Sequence, residues 1–136
     1  MTALHMLQEY IDALQDTGLL LDSTVTDVDI TIDCFSYDNR AVSGTALFFC
    51  KGAHFKEEYL RDALSRGAVA YVADHAYDVD APRLIVSDIR YALVVLGRLY
   101  YNNVTDKLVT VGITGTKGKS TTAYYMRYIL NDWLSG

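Results

Sequence analysis

The β-branched run Leu108-Val109-Thr110-Val111-Gly112-Ile113-Thr114 passes at once into Gly115-Thr116-Lys117-Gly118-Lys119-Ser120-Thr121, and Ala123 to Leu134 behind it has helix-forming character. Strand, glycine-bearing loop, Lys-Ser and helix is the order of a phosphate-binding loop, which commits that part of the chain to an α/β layer. Glycines let successive main-chain N–H groups turn inward on phosphate oxygens. The new helix aims its unpaired N–H groups and the positive end of its dipole at the same place. Lys119 would reach the β- and γ-phosphates, and the Ser120 hydroxyl could ligand Mg²⁺ held through the nucleotide. Ile113 stands where the strict pattern has glycine. The residues alone therefore leave room for an ordinary strand-turn-helix with a solvated lysine.

Upstream, the pattern alternates strands and helices. Ala3, Leu4, Leu7, Ile11 and Leu14 recur at helical spacing ahead of Gly18, predicting a helix over Thr2 to Asp16. Val28, Ile30 and Ile32 alternate with polar residues as a half-buried strand does. Leu47-Phe48-Phe49-Cys50 and Ala68 to Ala73 are continuous apolar runs, which suit strands covered on both faces. Lys56 to Arg66 reads as a helix stopped by Gly67. Leu84-Ile85-Val86 reads as a short strand, followed by a helix to about Tyr101 with Ser87 as its N-cap. Strands interleaved with helices predict a small mixed or parallel sheet with flanking helices. The polar stretch Asn102 to Lys107 is the linker candidate. It separates a block over 1–104 from a second one over 105–136, which holds the strand, the loop and the helix behind it.

Composition narrows the function classes. The 136 residues carry 12 Lys+Arg against 17 Asp+Glu, a net charge of −5, which argues against general binding to nucleic acid or an anionic membrane. Any anion must then be held by a local set of donors. Hydrophobic residues at 51% suffice for a core, yet no run approaches the roughly 20 apolar residues of a membrane span. The start, Met1 to Tyr10, lacks the apolar stretch of a secretory signal, so the expectation is a cytoplasmic protein. Cys34 and Cys50 read as small buried hydrophobes, and His5, His54 and His75 form no ligand spacing for zinc. Tyr124 and Tyr128, four apart, read as packing residues, and Arg127 as solvated.

The stretch Gly112-Ile113-Thr114-Gly115-Thr116-Lys117-Gly118-Lys119-Ser120-Thr121-Thr122 resembles the ATP-binding loop of the Mur ligases, whose first glycine is displaced from the standard position. A second block, Tyr37-Asp38-Asn39-Arg40-Ala41-Val42, then Gly44, Leu47 to Gly52 and Phe55, resembles the uridine-nucleotide-binding segment of the MurE branch. Asn39 takes the place of that family's usual serine. The resemblance covers the chain from about Asp33 to Trp133.

It implies an ATP-dependent ligase of peptidoglycan synthesis. Such an enzyme adds diaminopimelate or lysine to UDP-N-acetylmuramoyl-L-alanyl-D-glutamate through an acyl-phosphate, using ATP and Mg²⁺. It further implies that residues 1–104 bind the UDP-sugar and that 105–136 open the central ATPase domain. Tyr37, Asn39, Ala53, His54 and Phe55 would line the uridine pocket. Gly115, Thr116, Lys117, Gly118, Lys119, Ser120 and Thr121 would cradle ATP, with Lys119 catalytic. Asp38 and Arg40 read as a turn-fixing ion pair, and Phe55 as either a stacking platform or helix packing. With few residues after Thr121, these 136 residues are expected neither to hydrolyse ATP nor to ligate amino acids. The alternatives are a self-contained nucleotide-binding or partner-docking module, and a related ligase such as MurF.

Overall fold

The computed structural model describes residues 4–108 and 112–135, which fall into two compact units, 1–106 and 107–136. The first unit is built on a five-stranded sheet. In chain order its elements are β1 (His5–Met6), α1 (Leu7–Asp16), β2 (Leu20–Ser23), β3 (Thr31–Ile32), β4 (Cys34–Ser36), β5 (Ala46–Phe49), α2 (Glu57–Ser65), β6 (Ala68–Ala73), β7 (Arg83–Val86) and α3 (Ile89–Tyr100). The strand order is β2-β7-β6-β5-β4, with β4 to β7 mutually parallel and β2 antiparallel on the edge beside β7. A mixed α/β sheet is thus observed.

The apolar runs explain the layering. Along β5 the side chains alternate between two cores. Leu47 and Phe49 join Leu7, Leu14, Val72, Leu84 and Leu96 on the side of α1 and α3. Ala46 and Phe48 join Leu60, Ala63 and Tyr71 on the side of α2. All four β5 residues are buried, as a strand covered on both faces requires.

Three boundaries differ from expectation, each for a physical reason. The first helix starts at Leu7 because His5 and Met6 pair antiparallel with Thr31 and Ile32; Thr2 lies outside the described residues. The Met6 N–H instead donates to the Glu9 carboxylate at 2.8 Å. The strand expected over Val28 to Ile32 shrinks to β3. The carbonyls of Val28 and Ile30 accept from the Gln8 and Leu7 N–H groups, so they serve the orphan donors of α1 rather than a ladder. The N-cap of α3 is Asp88 rather than Ser87, its carboxylate accepting from the Arg90 and Tyr91 N–H groups at 2.9 and 3.0 Å. Strands β2 and β4 were not foreseen. The linker candidate folds into a 3-10 turn, Val104–Lys107, preceded by Asn102 and Asn103 in the left-handed region. Cys50 is buried, whereas Cys34 is only half-buried and sits 3.7 Å from the Ala41 carbonyl oxygen.

In the second unit the middle of the expected strand, residues 109–111, lies outside the described residues, and Gly112 to Gly115 have no regular structure. Helix α4 spans Lys119–Ser135. None of its residues is buried, so Tyr124 and Tyr128 are exposed rather than packed, contrary to the reading from their spacing. No helix among the described residues is long and apolar enough to cross a membrane.

Candidate functional site

Four parallel strands all end at one edge of the sheet, and the loops leaving them make the candidate surface of the first unit. Tyr37 follows β4, Cys50 to Phe55 follow β5, Asp74 to Tyr77 follow β6, and Ser87 with α3 follows β7. Parallel strands commonly present ligand sites at their carboxyl ends, because the loops there converge over a rigid floor.

Two concavities lie in these loops. One, of about 470 Å³, is lined by Tyr37, Asp38, Asn39, Arg40 and Tyr59. The other, of about 390 Å³, lies between the loops after β5 and β6 and the start of α3; Lys51, Ala53, Phe55, His75, Tyr77 and Arg90 are among its walls. Aromatic contacts join the two. Phe55 meets Tyr59 edge-on at 6.2 Å and Tyr77 at 5.5 Å, and the Lys51 ammonium stands 5.6 Å from the Tyr37 ring centroid.

The five residues expected in a uridine pocket are therefore divided. Tyr37 and Asn39 line the first concavity, Ala53 and Phe55 the second, and exposed His54 lines neither. Phe55 packs against Phe48, Tyr59 and Tyr77 while still contributing to the cavity wall. Asn39 has a partner inside the protein: its amide Nδ2 donates to Asp62 Oδ2 at 2.6 Å, leaving the carbonyl oxygen as its remaining acceptor. The Asn39 amide and then the Arg66 guanidinium hold the Asp62 carboxyl below the usual carboxylate range. Asp38 and Arg40 do form the turn-fixing pair. Arg40 Nε and Nη2 reach the two Asp38 oxygens at 3.0 and 2.9 Å, and these bonds, with the Arg40 N–H, lower the Asp38 pKa.

Asp74, Tyr77 and Arg90 were not singled out from the sequence; Lys51 falls inside the block resembling the MurE segment without a role of its own, and His75 was weighed only as a zinc ligand. For Asp74 the available signal was position, directly after an apolar strand run. Asp74 Oδ1 and His75 Nδ1 lie 2.6 Å apart. Beneath them the Cys50 thiol is pushed up by burial and then by the Asp74 charge. Burial first, then Cys50 and Asp74, push the Tyr77 hydroxyl up to about 12, so it is a neutral donor over the ordinary pH range.

The second unit presents the glycine loop. Gly115 has φ +147 and Gly118 φ +78, the latter with nothing within 4 Å of an added Cβ. Only glycine takes both without strain, and the bend places Lys119 at the first turn of α4, where the Thr122 N–H makes a 2.9 Å bond to the Gly118 carbonyl. Gly115 to Thr121 are all exposed, and Lys119 has no ion-pair partner among the described residues. Two ammonium groups, Lys117 and Lys119, the main-chain N–H groups of the loop and two glycines fit a phosphate group. No cluster of three metal-ligating side chains occurs among the described residues. A Mg²⁺ ion at the Ser120 hydroxyl would take most of its ligands from the nucleotide.

No protein-family model matches the chain. Its sequence is 42% identical over 127 residues to the UDP-N-acetylmuramoyl-L-alanyl-D-glutamate–L-lysine ligase of Enterococcus faecalis, taking in 93% of this chain and 24% of that protein. The ligase of the same name from Streptococcus pneumoniae is 44% identical over 103 residues, 76% of this chain and 21% of that one. In three dimensions the chain is similar to the UDP-N-acetylmuramoylalanyl-D-glutamyl-2,6-diaminopimelate–D-alanyl-D-alanyl ligase of Acinetobacter baumannii. The TM-score is 0.63 over 89% of this chain and 26% of that one, at 22% identity, a likeness of fold alone. The chain is homologous to the Mur ligases. Within that family its homology is to the MurE type that adds L-lysine, and it spans about a quarter of the length of the curated relatives it matches.

Proposed function

We propose that this chain provides the nucleotide-sugar-binding domain, over residues 1–104, and the opening of the ATP-binding domain, over 105–136, of a ligase that joins L-lysine to UDP-N-acetylmuramoyl-L-alanyl-D-glutamate in the cytoplasm. The observation that carries the reading is the 42% identity, across nearly the whole chain, to a ligase named for that L-lysine reaction. It favours lysine over diaminopimelate as the amino acid added.

In this reading the carboxyl edge of the sheet takes the uridine end of the substrate. Tyr37, Asn39, Ala53, His54 and Phe55 line it, with Phe55 as an aromatic wall and the Asn39 oxygen as an acceptor. Bound ATP with Mg²⁺ would supply the phosphoryl group that activates the D-glutamate carboxylate as an acyl-phosphate, releasing ADP; the amine of lysine would then form the amide at the acyl carbon, losing a proton and displacing phosphate. The chain's own part is placement and charge neutralisation. The N–H groups from Gly115 to Thr121 would hold the terminal phosphate oxygens, Lys119 would offset their charge, and the Ser120 hydroxyl would be a ligand to the metal.

Titration of the ¹⁵N-labelled chain with UDP-N-acetylmuramoyl-L-alanyl-D-glutamate tests the first half. Amide signals of Tyr37, Asn39, Ala53, His54 and Phe55 are expected to move together. No movement at millimolar ligand, or movement confined to other residues, overturns it.

A further inference from the structure

Of the residues expected in the uridine pocket, Asn39 alone has its side chain hydrogen-bonded to another element of the first unit, among the described residues. Its amide Nδ2 donates to Asp62 Oδ2 at 2.6 Å, which ties the 3-10 turn Asn39–Ala41 to α2. One helical turn further on, Arg66 Nε donates to the same oxygen at 2.8 Å. The turn does not need this tie to hold its shape. The Asp38 carboxylate accepts from the Arg40 N–H at 2.9 Å, and the Ala41 N–H donates to the Asp38 carbonyl at 3.0 Å. Ser36 Oγ bonds both the N–H and the carbonyl of Asp38 at 3.0 Å. What the bond to Asp62 fixes is the Asn39 side chain.

Asp62 decides which way that side chain faces. Two donors, the Asn39 amide and then the Arg66 guanidinium, hold its carboxyl below the usual carboxylate range, so near neutral pH it is an anion that only accepts. Only the nitrogen end of the Asn39 amide can meet an acceptor, and in a planar amide fixing the nitrogen also fixes the oxygen. Asn39 Oδ1 has no partner among the described residues, and Asn39 lines the concavity of about 470 Å³ with Tyr37, Asp38, Arg40 and Tyr59. The family's usual serine would place here a hydroxyl that rotates and both donates and accepts. Asn39 held by Asp62 instead turns its carbonyl oxygen away from α2. The charged side chains of this wall, Asp38 and Arg40, are bonded to each other.

We propose that Asp62, with Arg66 behind it, is a positioning residue: it orients the Asn39 amide so that the carbonyl oxygen receives a hydrogen bond from an N–H or O–H group of the ligand. The proposal rests on the uridine-nucleotide reading given above and deepens it. Neither Asp62 nor Arg66 lines the concavity, so both act through Asn39. Where a serine could serve a ligand donor or a ligand acceptor, this arrangement selects the donor.

The test is calorimetric titration of the whole chain with UDP-N-acetylmuramoyl-L-alanyl-D-glutamate, in the parent, Asp62→Ala, Asn39→Ala and the double variant. The Asp62 side chain is 37% exposed on α2, so the far-ultraviolet circular dichroism should be unchanged. Asp62→Ala is expected to weaken binding about 3- to 10-fold when Asn39 is present and less than about twofold when Asn39 is already alanine. Asp62→Asn, whose amide oxygen can still accept from Asn39, should keep most of the affinity. Without ligand, the Asn39 side-chain amide signals in ¹⁵N spectra should move towards those of a solvated asparagine in Asp62→Ala. Equal weakening in both backgrounds, no weakening, or amide signals that stay in place overturns the positioning role and leaves the uridine reading standing. A parent chain that binds no ligand at millimolar concentration overturns the uridine reading, and the positioning role falls with it.

Discussion

Replacing Gly67 by alanine tests the packing that supports the candidate site. Gly67 follows α2 and leads into β6 with φ +123, and its carbonyl accepts from the Ala46 N–H at 3.2 Å, where β5 and β6 begin to pair. A Cβ there would stand 2.2 Å from the carbonyl oxygen of Gly44, itself in a turn with φ +60. The obstacle is backbone, so no side chain can swing aside. Three costs add: about 1–3 kcal/mol for an L residue in that conformation, a main-chain shift to relieve the contact, and about 1 kcal/mol for the disturbed Ala46 bond. Together they amount to about 3–5 kcal/mol, a large part of the roughly 5–15 kcal/mol that holds a domain of this size.

Gly18→Ala is the matched control. Gly18 ends α1 with φ +70 and has nothing within 4 Å of a built Cβ, so only the backbone term applies, about 1 kcal/mol. Urea unfolding followed by far-ultraviolet circular dichroism is the assay, because the single tryptophan, Trp133, lies in the other unit and would not report on this sheet. With a slope of about 1–2 kcal/mol/M, the Gly67 variant should unfold roughly 1–4 M below the Gly18 variant. Equal midpoints would refute the steric argument and show that the Gly44 turn yields at little cost.

The hydroxyl of Tyr10 is buried without a hydrogen-bond partner, and burial raises its pKa, so Tyr10→Phe should leave the protein as stable or up to about 1–2 kcal/mol more stable by thermal melting. A phenol whose folded pKa is raised contributes stability that is intact below the unfolded value of about 10 and lost as pH rises beyond it. Stability should therefore fall above pH 10, by less in Tyr10→Phe, with Tyr77 ionising near 12 in a 295 nm absorbance titration. Asn39→Ser should break the 2.6 Å bond to Asp62 and lower the midpoint of urea melts slightly, while the Asp62 pKa, followed by carboxyl carbon shifts, moves back up. Exposed Lys119 should be replaceable by alanine without a change in melting temperature, yet any nucleotide-triphosphate binding to the chain should weaken measurably; ATP turnover by these 136 residues that Lys119→Ala abolishes would contradict the expectation that they are inactive alone.

How much of this was readable from residue order depends on where each element gets its partners. Strands β5 and β6 were legible because being covered on both faces leaves a continuous apolar run. Val28 to Ile32 misled because alternation reports half-burial, whatever the backbone bonds to; Val28 and Ile30 are half-buried, but their carbonyls serve α1. Strand β2 is mostly exposed and β4 is only half-buried, so neither leaves a clear period. Ser87 and Asp88 are both good caps, and only the geometry of the β7 exit decides between them.

The same distinction separates the glycine loop from the candidate surface at the sheet edge. A phosphate-binding loop works through consecutive main-chain N–H groups, so its residues must be contiguous and its signature survives in one line of text, here Gly115 to Thr121. The cavity at the sheet edge is lined by side chains delivered by separate strand ends, and nothing in the spacing of Lys51 and Arg90 announces that both line it. What identifies them is a property of the folded unit: every other arginine and lysine there has found a carboxylate, and these two have not. Pairing depends on reach, and reach is fixed only once β5, β6 and α3 are packed.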